Sequence, residues 1–287
     1  MVSETWRVAI VSAVQPVVER FVPVLRELGH EPAGVVTARV ERDQPPDLLL
    51  GNETVPAGID LLFAADKFRI EPLLRALEPD LMVCWGFPWK LPQAALDVAR
   101  LGSINLHPGL LPRHRGPVPL AWALRDGDGR FGVTWHRMDA ELDTGGILAQ
   151  TSIPIEDDDV EIMQVGPKLG AAAFGLLPRV LERVAAGDPG DPQDESLATW
   201  AGHFEEDDYA RVDWSWPARR IHDQVRAWNL TMGLSGVVAP VAELDGEHVR
   251  LARTSLTDPG GDARRVECGD GPLWIVASDP STPTAGR

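Results

Sequence analysis

Close to its start the chain reads as strand, helix and strand again within about 30 residues, and that rhythm sets the fold class. Residues 6–14, apolar except for Arg7 and Ser12, read as a buried strand. Val17, Val18, Phe21, Val22, Leu25 and Leu28 then recur at helical spacing, and Gly29 supplies a stop. Pro23 lies inside this helix and is expected to kink or restart it. Residues 33–37 form a second apolar strand. So short a connection carrying one helix is a right-handed parallel crossover, the unit of an α/β sheet. No Gly-x-Gly-x-x-Gly follows the first strand, so a dinucleotide fingerprint is absent.

The alternation continues. Strands are expected at 59–63, 81–85, 103–107, 132–136 and 147–155, with helices at 68–77, 94–99, 117–125 and 160–185. Residues 39–59, rich in Pro, Gly and acid, read as a surface loop. Residues 187–195, Gly-Asp-Pro-Gly-Asp-Pro-Gln-Asp-Glu, read as a linker. Beyond them the texture changes. A helix over 217–228 is followed by short strands at 237–244, 248–252, 265–268 and 273–276, then a frayed tail at 278–287. The expected organisation is a doubly wound, mostly parallel α/β sheet over 1–188, a linker over 189–204 and a small β-rich domain over 205–287.

Charge narrows the partners. With 27 basic and 43 acidic residues the formal net charge is −16, which disfavours a nucleic-acid partner because phosphate binding rests on Lys and Arg. No apolar run approaches the roughly 18 residues of a membrane span, and the first residues carry no secretion signal. Cys84 and Cys268 fit neither a metal spacing nor a disulfide framework, so a reducing cytoplasm is the expected location.

One stretch carries chemistry. In Ser103-Ile-Asn-Leu-His-Pro-Gly, Asn105 and His107 alternate with apolar residues and share one face of a strand that ends at Pro108-Gly109. Ligands in open α/β sheets bind at such carboxyl ends. By itself the pair also fits a strand end whose polar groups are satisfied locally. Asp143, in the turn Leu-Asp-Thr-Gly-Gly between two strands, can reach His107 if that turn crosses the strand end. A carboxylate beside an imidazole orients it for proton transfer near neutral pH, and an amide N–H suits an oxygen gaining negative charge. With no Ser or Cys at a nucleophile's place, the set fits direct acyl transfer to an incoming amine. His136 reads as a structural strand residue and Arg115 as a tie for its loop; no metal is expected, since no ligand spacing supports one.

Asn105-x-His107-Pro108, Leu110-Leu111-Pro112, Arg115-Gly116, Gly132-Val133-Thr134-x-His136 and Asp143-Thr144-Gly145 together resemble the folate-dependent formyltransferases, in order, over roughly residues 6–185. Val212-Asp213-Trp214, Arg226-Ala227 and Cys268-Gly269-Asp270-Gly271 resemble the OB-like C-terminal domain of the members that act on methionyl-tRNA. The resemblance implies N10-formyltetrahydrofolate as formyl donor, with Asn105, His107 and Asp143 catalytic. It places the pterin against Trp85, Gly86, Phe87, Pro88, Trp89 and Leu91 and the turn Met138, Asp139, Ala140, Glu141 and Leu142. Two positions depart from the family: Gly109 stands where Ser is usual, and Gly145 or Gly146 where a carboxylate is common.

The acceptor is the open choice. The loop Arg39-Val-Glu-Arg-Asp-Gln-Pro-Pro-Asp is mixed and then acidic, and the C-terminal arginines are offset by carboxylates. A small-molecule amine, such as an amino sugar nucleotide, a hydroxyornithine-like amine or a specialised-metabolite intermediate, is therefore favoured. A methionyl-tRNA acceptor is the alternative, with a formyltetrahydrofolate hydrolase and a non-catalytic folate-binding module further behind.

Overall fold

The computed structural model describes residues 4–38, 50, 55–204, 211–230 and 240–280. Most of the expected loop at 39–59, the first residues of the strand expected at 237–244 and most of the expected tail lie outside the described residues. The elements are β1 (Arg7–Val11), α1 (Gln15–Glu27), β2 (Glu31–Ala38), β3 (Leu61–Ala64), α2 (Ile70–Leu77), β4 (Leu81–Cys84), α3 (Gln93–Leu96), β5 (Ser103–His107) and α4 (Pro119–Arg125). There follow β6 (Arg130–Arg137), β7 (Ile147–Pro154), α5 (Ile162–Ala185), α6 (Ala218–Leu230), β8 (Val241–Leu244), β9 (Glu247–Ser255), β10 (Arg264–Cys268) and β11 (Gly271–Pro280).

Seven strands form one sheet in the order β3-β2-β1-β4-β5-β6-β7. The pairs among β1 to β5 are parallel, and β6 runs antiparallel to β5. This is the mostly parallel, doubly wound sheet that the strand–helix rhythm implies. The order reverses between β1 and β4, so the crevice beyond their carboxyl ends is where such a sheet binds ligands. β1 and β4 are buried on both faces, which explains their unbroken apolar runs.

α1 shows how local sequence sets its limits. Pro16 sits in the first turn, where its missing N–H costs nothing. At the other end Gly29 takes φ +85°, its N–H donates to the Arg26 carbonyl at 3.0 Å and the His30 N–H donates to the Leu25 carbonyl at 2.9 Å, a Schellman motif. The helix runs through Pro23 as one element and does not restart. Its buried face, Val17, Val18, Phe21, Val22 and Leu25, packs on the sheet, each side chain contributing about 1.5–3 kcal/mol. Beside it Trp135 is fully buried, meets Phe21 edge-on at 5.9 Å and donates its indole N–H to the Ala173 carbonyl at 2.9 Å.

The chain divides into two compact units: Met1–Gly116, Gly132–Ile153 and Lys168–Trp200 form the first; Pro117–Phe131, Pro154–Pro167 and Ala201–Arg287 form the second. This grouping differs from a single cut at 189–204. α4 belongs with the second unit because it packs on α6, and Trp122 donates to the Gly202 carbonyl at 2.7 Å. Residues 188–200 belong with the first: Asp191 bridges to Ile147, and Trp200 to Arg115. In the second unit four antiparallel strands, in the order β10-β11-β9-β8, form the expected small β-rich domain, with α6 packed on it through Ile221 and Val225. No helix of the described residues is long and apolar enough to cross a membrane.

One buried group there gives the fold an acid-sensitive element. His222 meets Thr254 Oγ1 at 2.9 Å and the Asp157 carbonyl at 3.3 Å. Burial, reinforced by the Arg226 charge, pushes its pKa down to about 4. The folded value lies below the unfolded value of about 6.5, so this contribution to stability is complete above about pH 6.5 and is lost as pH falls toward 4. Urea unfolding at pH 7 and pH 4.5 is expected to show a loss of up to about 3 kcal/mol from this group, much reduced in His222→Gln. Equal stability of the wild-type protein at both pH values would contradict it.

Candidate active site

β5 delivers Asn105 and His107 to one face at its carboxyl end. The β5–β6 register pairs Asn105 with His136 and His107 with Thr134. Cross-strand partners share a face, so topology adds His136 to the amide and imidazole. Thr134 Oγ1 donates to the Gly109 carbonyl at 2.6 Å and pins the turn that ends β5. Gly132 lets β6 approach that turn: a Cβ there would lie 2.4 Å from the Gly109 and Leu110 backbone.

Asp143 reaches this strand end. Its Oδ2 lies 3.4 Å from His107 Nδ1 and its Oδ1 3.4 Å from His136 Nε2. The Gly116 N–H donates to Oδ2 at 2.9 Å, and Asn105 Nδ2 stands 3.5 Å from Oδ1. Burial would raise the Asp143 carboxyl, but the His107 charge and the contact from His136 outweigh it and hold the group well below the usual carboxylate range. The turn is tight. A Cβ at Gly145 would lie 1.9 Å from the Arg137 carbonyl, and one at Gly146 2.3 Å from the Pro189 carbonyl. Neither position has room for the carboxylate that the family commonly carries.

His107 is oriented from behind. Its Nε2 donates to the His114 carbonyl at 2.8 Å, since a carbonyl only accepts. In the neutral ring Nδ1 is therefore the unprotonated nitrogen, and it is the one beside Asp143. Burial pushes the ring below its ordinary value, with Asp143 opposing, so the neutral form with a basic Nδ1 is the resting state at pH 7. A proton taken up at Nδ1 then lies next to a carboxylate. Cys84, at the end of β4, is no rival nucleophile: burial, then Asp143, pushes its thiol up to about 12. Among the described residues no group of three or more His, Cys, Asp or Glu is placed to hold a metal ion.

The structure also brings together the two segments expected to hold a pterin. Phe87 and Trp89 meet edge-to-face at 5.6 Å, and both pack with Met138 on the cluster beneath β4. Lys90 and Glu141 join the segments at the surface with a 3.0 Å ion pair. The Asp139 carboxylate shapes the turn, accepting from the Glu141 N–H at 3.1 Å and the Thr144 hydroxyl at 2.6 Å. Pro88, Ala140 and Leu142 are exposed, and Gly86 takes φ +64° at a point where a Cβ would also meet Val14. Trp85 and Leu91 differ from the others. The Trp85 ring lies half-buried against Phe21 and Phe174, and Leu91 is in the core.

Residues that read as linker hold the site in place. Gln193 Oε1 accepts from Arg115 Nε at 3.1 Å and Nη2 at 2.8 Å, while its Nε2 donates to the Asp143 and Gly145 carbonyls, each at 2.8 Å. Glu195 grips the same guanidinium at 2.7 and 2.9 Å, and Thr199 Oγ1 accepts from the His114 N–H at 2.8 Å. One side chain thus fastens the loop after His107 to the turn that carries Asp143. Its sequence signal is slight: Gln193 is the one amide among the acids, prolines and glycines of 187–195. Gln193→Ala is expected to cost about 1–3 kcal/mol in urea unfolding and to lower turnover, because Arg115 and two carbonyls lose their partner. Unchanged unfolding and unchanged turnover would show that the clamp is dispensable.

Comparison with known proteins agrees with this geometry. Residues 35–181 match the Formyl transferase family. The methionyl-tRNA formyltransferase of Pseudomonas entomophila is 33% identical over 276 residues, covering 88% of this chain and 85% of its own. Among solved structures, HypX from Aquifex aeolicus in complex with tetrahydrofolic acid aligns with 97% of this chain and 45% of its own, at 19% identity and a TM-score of 0.69. WlaRD, a sugar 3N-formyl transferase, aligns with 95% of this chain and 97% of its own, at 13% identity and a TM-score of 0.65. At those identities the two structures speak to the fold, whereas the family match and the relative at one-third identity speak to ancestry: the chain belongs to the folate-dependent formyltransferases.

Proposed function

We propose that this formyltransferase moves the formyl group of N10-formyltetrahydrofolate to the amine of a small molecule, using Asn105, His107 and Asp143. The observation that carries this reading is a buried His107 whose Nε2 is fixed by a backbone carbonyl, leaving Nδ1 beside the Asp143 carboxylate, which the Asn105 amide also approaches. The bound folate supplies the formyl carbon. Asn105 supplies an N–H for the oxygen that gains negative charge, in a site where such a donor is worth about 100- to 1,000-fold in rate. His107 Nδ1 takes the proton released by the attacking amine, Asp143 stabilises the imidazolium that results, and the proton passes to N10 of the departing tetrahydrofolate as the formyl C–N10 bond breaks. The residues fit a folate: half-buried Phe87, Trp89 and Met138 offer an apolar wall for a flat heterocycle, and the 138–142 backbone offers polar groups at its edge.

Charge supports the small acceptor. Residues 205–287 contain nine arginines, no lysine and fourteen carboxylates. Among the described residues, five of those arginines are in ion pairs: Arg219 with Asp157, Arg226 with Asp223, Arg250 with Asp279, Arg264 with Asp245 and Arg265 with Glu267. Arg220 lies over the Trp216 ring at 3.7 Å. With carboxylates outnumbering arginines, this region carries net negative charge, which opposes a tRNA backbone. A methionyl-tRNA acceptor is the second reading, favoured by the name and identity of the Pseudomonas relative.

A panel of amine acceptors and methionyl-tRNA, assayed with N10-formyltetrahydrofolate, separates the two. Small amines are expected to turn over and tRNA to be a poor substrate at physiological salt; efficient tRNA formylation reverses the choice. Asn105→Ala, His107→Ala and Asp143→Ala are each expected to lose at least about 100-fold in kcat, with losses that do not add. Near-normal turnover in folded His107→Ala and Asp143→Ala would remove the catalytic assignment.

A further inference from the structure

His136 shares the strand face of Asn105, yet the reaction outlined above gives it no task. Its Nδ1 lies 2.7 Å from the Arg137 carbonyl, which only accepts, so Nδ1 carries the hydrogen. The other nitrogen, Nε2, stands 3.1 Å from Asn105 Nδ2. The Asp143 carboxylate fixes which end of the Asn105 amide points here. Its Oδ1, held ionised, lies 3.5 Å from the same Asn105 atom, so that atom must be the donor nitrogen. His136 Nε2 is then the acceptor of this contact.

Three distances set the geometry further. Asn105 Nδ2, His136 Nε2 and Asp143 Oδ1 make a nearly equilateral triangle with sides of 3.1, 3.5 and 3.4 Å. Seen from Nδ2, the two acceptors are thus about 60° apart, whereas the two N–H bonds of a planar amide diverge by about 120°. The two N–H bonds therefore cannot both point squarely at these acceptors.

We propose that His136 is a positioning residue for the transfer. As an acceptor beside Asp143 it holds the N–H₂ end of the Asn105 amide in place and blocks the flipped amide, so that the developing negative charge meets N–H and not the amide oxygen. Without that acceptor the amide can rotate and present its own oxygen to the developing charge. His136 at 2% side-chain exposure has no room for substrate contact, so its effect runs through Asn105. This rests on the formyl-transfer reading.

The test is steady-state kinetics on His136→Phe, His136→Gln and Asn105→Ala, and on the double variant Asn105→Ala/His136→Phe, with a thermal melt of each. Phe keeps the ring volume and removes the acceptor. Gln places an amide oxygen near the Nε2 position and its N–H₂ near Asp143. His136→Phe is expected to lose at least about tenfold in kcat with KM for donor and acceptor within about threefold. His136→Gln should recover most of that loss, and the double variant should be no slower than Asn105→Ala. If His136→Phe does not fold, His136→Asn, whose amide reaches the Nδ1 position but not Nε2, takes its place with the same expectation. Wild-type kcat in the variant lacking the acceptor, failure of Gln to rescue, or losses that multiply in the double variant would each overturn the proposal. A wild-type enzyme without formyl transfer would overturn the reaction instead, so the two failures are distinct.

Discussion

A carboxylate buried as deeply as that of Asp143 persists only if polar groups surround it, and much of this site follows from that demand. The Gly116 N–H reaches it from the loop after His107, the His107 and His136 rings flank its two oxygens, and Asn105 approaches from β5. These contacts come from three separate stretches of chain, so the carboxylate fixes the mutual placement of a strand end, a loop and a turn. Removing it would leave two imidazoles and an amide arranged around nothing, which is why its loss reaches further than one missing group.

The backbone is bent to make this possible. His114 at φ 58° and Asp143 at φ 59° are both in the left-handed region without being glycine. Such residues cluster at functional sites, where the strain is held by surrounding structure. Here each turns an oxygen toward His107: the His114 carbonyl toward Nε2 and the Asp143 carboxylate toward Nδ1. The restraint comes from residues 193–199, where Gln193 holds the Asp143 carbonyl and Thr199 the His114 N–H. Asp and His are also among the residues that tolerate this conformation best.

What the sequence made legible follows physical range. The strand–helix rhythm is local, so the order of elements and the parallel sheet could be read from it. Asn105, His107 and Asp143 stood out because polar side chains at a strand end and in a glycine-bracketed turn break an apolar pattern. The task of 188–200 was not legible: Pro, Gly and Asp favour irregular backbone whether that backbone is a tether or a clamp, and only long-range contacts separate the two. Trp85 reads as a ligand wall because aromatic residues near a strand end serve both roles; in the structure it is half-buried, with its ring against Phe21 and Phe174, far off in sequence. His136 looked structural because its partner depends on the β5–β6 register.

The way His107 is held bears on the chemistry. In a serine-hydrolase triad the carboxylate takes one imidazole nitrogen and the other faces the nucleophile. Here Nε2 is tied to the His114 carbonyl, so the carboxylate and any reacting group meet the ring at the same nitrogen. The 3.4 Å separation from Asp143 is too long for a strong hydrogen bond to a charged partner, which lies nearer 2.8 Å. A proton arriving at Nδ1 therefore strengthens a contact that the neutral ring does not make. The site gains attraction as charge develops and holds little of it beforehand, and only interactions stronger in the transition state than in the ground state accelerate a reaction.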